Sequence, residues 1–178
     1  TLAADPVPTC KALLTAFELW SDENWSDEIL SARADTEGWS AGMRDEARDA
    51  ATEFAVELGR VRRGVQILQE NKNLRVAFAA MNDAMFLSAR GRYDSWRPFQ
   101  LAFLLANLGC LVDADNDFSV VDIVWFATGG GKTETYLGLL ITAALLDRMR
   151  GKLSGVTAWS RFPLRLLSLQ QTQRFANA

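Results

Sequence analysis

The chain has 178 residues, 49% hydrophobic and 23% charged, an ordinary globular composition with apolar material for one core. Its formal net charge is -3, so no overall positive field draws nucleic acid to it, and any such contact must be local. There is no histidine, which excludes Ser-His-Asp and Cys-His catalysis, and Cys10 and Cys110 lie too far apart for a CxxC zinc motif.

The two cysteines are expected to be reduced, buried thiols. Residues 1–6 lack the basic flank and apolar run of a signal peptide, and no apolar stretch is long enough to span a bilayer, so a cytoplasmic protein without membrane contact is expected. The chain begins with Thr1 and its last helical pattern reaches Ala178 without a stop signal, which suggests a fragment of a longer protein.

Residues 1–42 are mixed. Ala12 to Trp20 reads as helical, and acidic residues then interleave with Trp25, Ile29, Leu30 and Trp39. Asp22-Glu23 and Asp27-Glu28 follow no buried strand and are expected to be solvated. From Ala47 the apolar positions Ala47, Ala51, Phe54, Leu58, Val61, Val65 and Leu68 alternate steps of four and three, which predicts an amphipathic helix packed on its own domain. A second helix, Leu74 to Ala89, carries Leu74, Phe78, Met81 and Met85 on one face and ends at Gly91. Pro98 fits the first turn of a third helix running to Leu108 with Gly109 as its cap.

After the polar stretch 113–117 the character of the chain changes. Val120 to Phe126 is rich in β-branched and aromatic residues and predicts a strand buried on both faces. A glycine loop follows, then a long helix from Thr133 to Arg150 closed by Gly151. Val156 to Trp159 predicts a second short strand, and Pro163 opens a helix towards Ala178. Strand, helix, strand, helix predicts an α/β fold with a parallel sheet.

The loop, Ala127-Thr128-Gly129-Gly130-Gly131-Lys132-Thr133, carries the chemistry. Glycines let the main chain curl so that successive N-H groups and the positive end of the helix dipole face an anion. Lys132 adds a point charge able to reach the β and γ phosphates of a nucleoside triphosphate, and the Thr133 hydroxyl can ligate Mg²⁺. Catalytic roles are therefore expected for Lys132 and Thr133, with Thr128, Gly129, Gly130 and Gly131 cradling ATP. The pattern GxxxxGK followed by Ser or Thr asks for glycine where Phe126 stands, a departure that the neighbouring Ala127 offsets. Glu134 reads as a first-turn helix acid beside the phosphates that could orient Lys132, rather than as the catalytic carboxylate.

From Trp96 onward the chain resembles superfamily 2 helicases, and among them the large helicase-like proteins of DISARM-type bacterial phage-defence systems. The resemblance rests on Trp96-Arg97-Pro98-Phe99-Gln100 continuing to Phe103, on Trp125 to Glu134 with Tyr136-Leu137-Gly138, and on Gly155-Val156-Thr157 leading to Arg161-Phe162-Pro163-Leu164-Arg165 and on to Gln171. It reaches back more weakly to Ala77-Phe78 and Asn82 to Met85, and Ala127 stands where those relatives usually carry proline.

The resemblance implies a helical N-terminal segment, residues 1–95, and the first part of a RecA-like ATP-binding lobe, residues 96–178. It implies ATP and Mg²⁺ as cofactors, DNA as partner, further defence proteins, and a second RecA-like lobe in the remainder of the chain. Gln100 would recognise adenine, a carboxamide being able both to donate and to accept; the alternative is a helix-surface glutamine bonded to water. Arg161 and Arg165 would hold DNA phosphates, or Arg165 would pair with a neighbouring acid. A Walker B acid is expected on a later strand, after the end of this segment, which also lacks the second lobe and any arginine finger from it, so this segment alone is expected not to hydrolyse ATP efficiently. Two rivals stand beside the helicase reading: an ATPase acting on a substrate other than nucleic acid, and a non-catalytic helical scaffold.

Overall fold

The computed structural model describes residues 1–113, 119–125, 131–161 and 165–177. In chain order the described residues form α1 (Pro6–Trp25), α2 (Asp27–Glu37), α3 (Ala41–Glu70), α4 (Lys72–Ala89), α5 (Pro98–Ala106), α6 (Leu108–Val112), α7 (Lys132–Met149) and α8 (Arg165–Asn177). The expected α/β architecture with its parallel sheet is therefore overturned: among the described residues the fold is all-helical, without a strand.

The reason lies in what a strand requires. A run of β-branched and aromatic residues has the capacity for a strand, but the strand exists only when a neighbour pairs its N-H and C=O groups. The 120–125 and 156–159 stretches find no such neighbour among the described residues. Instead of being buried on both faces, Val121, Ile123 and Trp125 are 84%, 80% and 91% exposed, and Trp159 is 88% exposed. Side-chain ties hold both stretches against the helices. Asp122 receives a bidentate ion pair from Arg60 of α3, at 2.6 and 3.1 Å. Asp147 of α7 accepts from Lys152 Nζ at 2.7 Å and from the Thr157 hydroxyl at 2.8 Å, bonds that pull its carboxyl below the usual range.

The helices begin where local chemistry directs. Asp5 caps α1 by accepting from the Val7 N-H, with Pro6 in the first turn. The Ser40 hydroxyl caps α3, and Asn71 both ends α3 and caps α4 by accepting from Leu74 N at 2.9 Å. Residues 1–42, which read as mixed, thus form two helices and the start of a third; Asp22, Glu23, Asp27 and Glu28 are exposed, as expected.

The predicted stripe of α3 turns its second half inward: Leu58, Val61, Val65 and Leu68 are buried. Val61, Val65 and Leu68 join Leu74, Phe78 and Met81 of α4, Leu101, Leu104 and Leu105 of α5, and Leu146 of α7 in one core cluster. Each fully buried Leu or Phe contributes roughly 1.5–3 kcal/mol relative to exposure, so this cluster dominates the favourable side of folding. The helix from Pro98 ends two residues earlier than expected. Asn107 breaks it, its side-chain amide donating to Phe103 O, and Gly109 lies buried inside the short α6 rather than capping α5.

Both cysteines are free thiols, but only Cys10 is fully buried. Desolvation, with a smaller contribution from the charge of Asp5, pushes the Cys10 thiol up to about 12, so it stays protonated and unreactive at neutral and mildly alkaline pH. A disulfide-exchange reagent at about pH 8 is expected to titrate Cys110 in the native chain and both thiols in denaturant. Rapid modification of Cys10 in a Cys110→Ser variant under native conditions would contradict this burial.

Candidate phosphate-binding site

The site is built at the junction of α5 and α7. Gly131, the last glycine of the loop, is the N-cap of α7 with φ 87°, in the left-handed region, and Lys132 is the first helical residue. This geometry leaves the first-turn amides of α7 without intrahelical partners and puts the positive end of the helix dipole at the loop. Lys132, Thr133 and Glu134 fill that first turn and are half-buried. Phe126, Ala127, Thr128, Gly129 and Gly130 lie outside the described residues.

Gln100 is brought to this point from α5. It is 6% exposed, and its carboxamide bridges two backbone groups: Oε1 accepts from Arg97 N at 2.9 Å and Nε2 donates to Gly131 O at 2.8 Å. Gln100 is thus neither a solvent-bonded surface glutamine nor remote from the loop. The Thr135 hydroxyl donates to the same Gly131 carbonyl at 3.1 Å, from a fully buried position. The space is close: a Cβ on Gly131 would lie 2.5 Å from Gln100 Nε2 and 3.7 Å from Glu134 Oε2.

Glu134 meets α8 directly, and Thr133 does so only through Tyr136 of α7. The Tyr136 hydroxyl lies 3.1 Å from Thr133 Oγ1 and 3.5 Å from Gln171 Oε1. Glu134 forms an ion pair with Arg174, and both line a pocket of ≈ 240 Å³ whose other walls include Arg90, Arg92, Tyr93 and Leu137. Arg90 holds a left-handed backbone, φ 49°, a strained conformation for a side chain with a Cβ. Arg161 is exposed, and Arg165 opens α8.

The donor set fits a magnesium nucleotide in a limited sense. Mg²⁺ usually keeps several waters and takes one or two protein oxygens beside the phosphates, so one threonine hydroxyl suffices. Among the described residues no group of three or more His, Cys, Asp or Glu side chains is placed to hold a metal ion, and no helix is long and apolar enough to cross a membrane.

Sequence reading singled out the loop, Gln100 and Glu134. It missed Arg174, which has no local signal of its own, and it left Gln171, one helical turn earlier on α8, and Tyr136 without roles although the three-residue spacing of Tyr136 from Thr133 places both on one helix face.

No protein-family model matches the chain. The chain is 40% identical to the DISARM protein DrmA of Bacillus paralicheniformis, over an alignment that takes in 72% of this chain and 14% of that protein. The chain is accordingly related to a DISARM protein and spans about 14% of the length of that curated relative.

Proposed function

We propose that the chain binds the triphosphate of ATP, with Mg²⁺, at the start of α7, as the nucleotide-binding portion of a DNA helicase or translocase acting in anti-phage defence. One observation carries the reading: a left-handed glycine N-cap is followed at once by Lys132 and Thr133 in the first turn of an 18-residue helix. That places backbone amides, an ammonium group and a hydroxyl at one helix terminus, which is the chemistry a phosphate chain requires.

In this reading Thr128, Gly129, Gly130 and Gly131 cradle the phosphates, Lys132 reaches the β and γ oxygens, and Thr133 ligates Mg²⁺. Gln100 holds the loop end in place. Beyond its two backbone bonds its carboxamide has one further N-H and one further lone pair, which suit an adenine edge. Residues 1–95 then act as a helical platform, and residues 96–178 supply the nucleotide contacts.

Kinship with a DISARM protein supports the defence context and other defence proteins as partners. Arg161 and Arg165, at the entry to α8, are the proposed contacts to DNA phosphates. Hydrolysis and movement on DNA belong to a longer protein with a second lobe, in keeping with the small share of the DISARM relative that this chain spans.

Titration with a fluorescent ATP analogue in the presence of Mg²⁺ tests the reading. Saturable binding is expected, and Lys132→Ala should weaken it by roughly tenfold or more, since a charge-assisted contact to phosphate is lost. Equal binding by both forms, or none by either, would refute the site. In the longer protein, ATPase activity unaffected by DNA would favour an ATPase acting on another substrate.

A further inference from the structure

We propose that Arg174 is a positioning residue that sets triphosphate affinity by neutralising Glu134, so that the docking of α8 tunes the phosphate site; this rests on the ATP-binding reading above. The argument begins with an electrostatic conflict inside the first turn of α7. A carboxylate there is favourable to the empty helix terminus, because it faces the positive end of the dipole. Beside a bound triphosphate the same carboxylate is a like charge. Glu134 Oε2 sits 3.7 Å from where a Cβ of Gly131 would stand, so it borders the loop end itself, and its side chain is only 17% exposed, where water screens it poorly.

Arg174 removes the conflict. Its guanidinium pairs with Glu134 from a position forty residues later in the chain, while its own side chain remains 41% exposed. Nor is the contact isolated. Gln171, three residues earlier on α8 and 8% exposed, lies within reach of the Tyr136 hydroxyl, which in turn bonds Thr133. One face of α8 therefore touches both polar side chains that follow Lys132, one through a charge and one through a hydroxyl relay.

A shift of α8 would expose the triphosphate to an uncompensated carboxylate and release the Tyr136 hydroxyl at the same time. Arg165 is the first residue of α8, so a ligand bound there would act on the helix that carries the compensating charge.

The test is a charge-neutralisation cycle on the full chain, read by displacement of N-methylanthraniloyl-ATP with ATP, ADP and AMP at fixed ionic strength with Mg²⁺. Arg174→Gln is expected to weaken ATP binding by roughly three- to tenfold, with a smaller effect for ADP and the smallest for AMP, because the repulsion scales with ligand charge. Glu134→Gln/Arg174→Gln should recover ATP affinity to near the parent value, and Glu134→Gln alone should bind at least as well as the parent. Thermal melts of the three variants separate binding from unfolding. If the parent binds and Lys132→Ala does not, while Arg174→Gln binds ATP as well as the parent, the inference fails and the ATP site stands. It fails too if Arg174→Gln weakens ATP, ADP and AMP alike, or if the double variant stays as weak as the single one. If the parent itself binds no nucleotide, both readings fall together.

Discussion

Alanine at Gly64 is expected to destabilise the protein, and alanine at Gly59, five residues earlier in the same helix, to stabilise it. Both glycines sit inside α3, where glycine costs about 1 kcal/mol relative to alanine, so propensity alone predicts a gain at each. Position 59 is open: an added Cβ meets nothing within 4 Å. At position 64 the Cβ would lie 2.6 Å from the carbonyl carbon of Leu105 and closer still to its oxygen. Those are backbone atoms of α5 and cannot swing aside as a side-chain end can. To admit the methyl group α3 must separate from α5, loosening Val61, Val65 and Leu68 against Leu101, Leu104 and Leu105.

Overpacking of this kind costs about 1–3 kcal/mol and more when a backbone must move, so a net loss of about 3 kcal/mol is expected for Gly64→Ala. For Gly59→Ala a gain of roughly 0.5–1 kcal/mol is expected. Urea unfolding of the two variants and the parent gives the comparison directly. Stabilisation at both positions would mean that α3 and α5 do not approach as closely as described.

Gly131→Ala is expected to damage both stability and nucleotide binding. Holding alanine at φ 87° costs about 1–2 kcal/mol, and the new Cβ would stand 2.5 Å from Gln100 Nε2. Gln100 can retreat, but only by breaking its bonds to Gly131 O and Arg97 N, which leaves buried polar groups unpaired at a further cost of about 1–3 kcal/mol. The two contributions separate in a double-mutant cycle. In a Gln100→Ala background the clash is absent, so Gly131→Ala should cost only its backbone strain, about half of what it costs in the parent. Strict additivity would show that Gln100 and Gly131 are not in contact.

What the sequence disclosed and what it concealed divide along the range of the interactions involved. Helices α3, α4, α5 and α7 were legible because a 3.6-residue apolar stripe and its stop signals are local: the inward face of Leu58, Val61, Val65 and Leu68 can be counted off the residues. The chain's start was less legible, since α1 and α2 have no clean stripe, although Asp5-Pro6 is a helix-start signal that could have been used. The strand expectation failed for the opposite reason. Valine, isoleucine and tryptophan at 120–125 state a preference, but pairing is a property of the neighbours, and no local pattern reports whether they are present.

The site divides in the same way. A run of glycines ahead of Lys132 and Thr133 is legible at a glance, whereas the bond from Gln100 to Gly131 spans 31 residues and the ion pair from Arg174 to Glu134 spans 40. Gln100 was singled out through resemblance, with a role in reading adenine. That its carboxamide also fastens the loop end to α5 could come only from the structure.

The doubly engaged carbonyl of Gly131 has a kinetic meaning. With hydrogen bonds from Gln100 Nε2 and Thr135 Oγ1 on its oxygen, this peptide group cannot rotate freely. Because the unit is planar, fixing the carbonyl also fixes the N-H on its far side, that of Lys132. The orientation of that N-H is therefore set during folding, when its ordering entropy is lost. In the proposed phosphate site this edge would be rigid before any ligand binds.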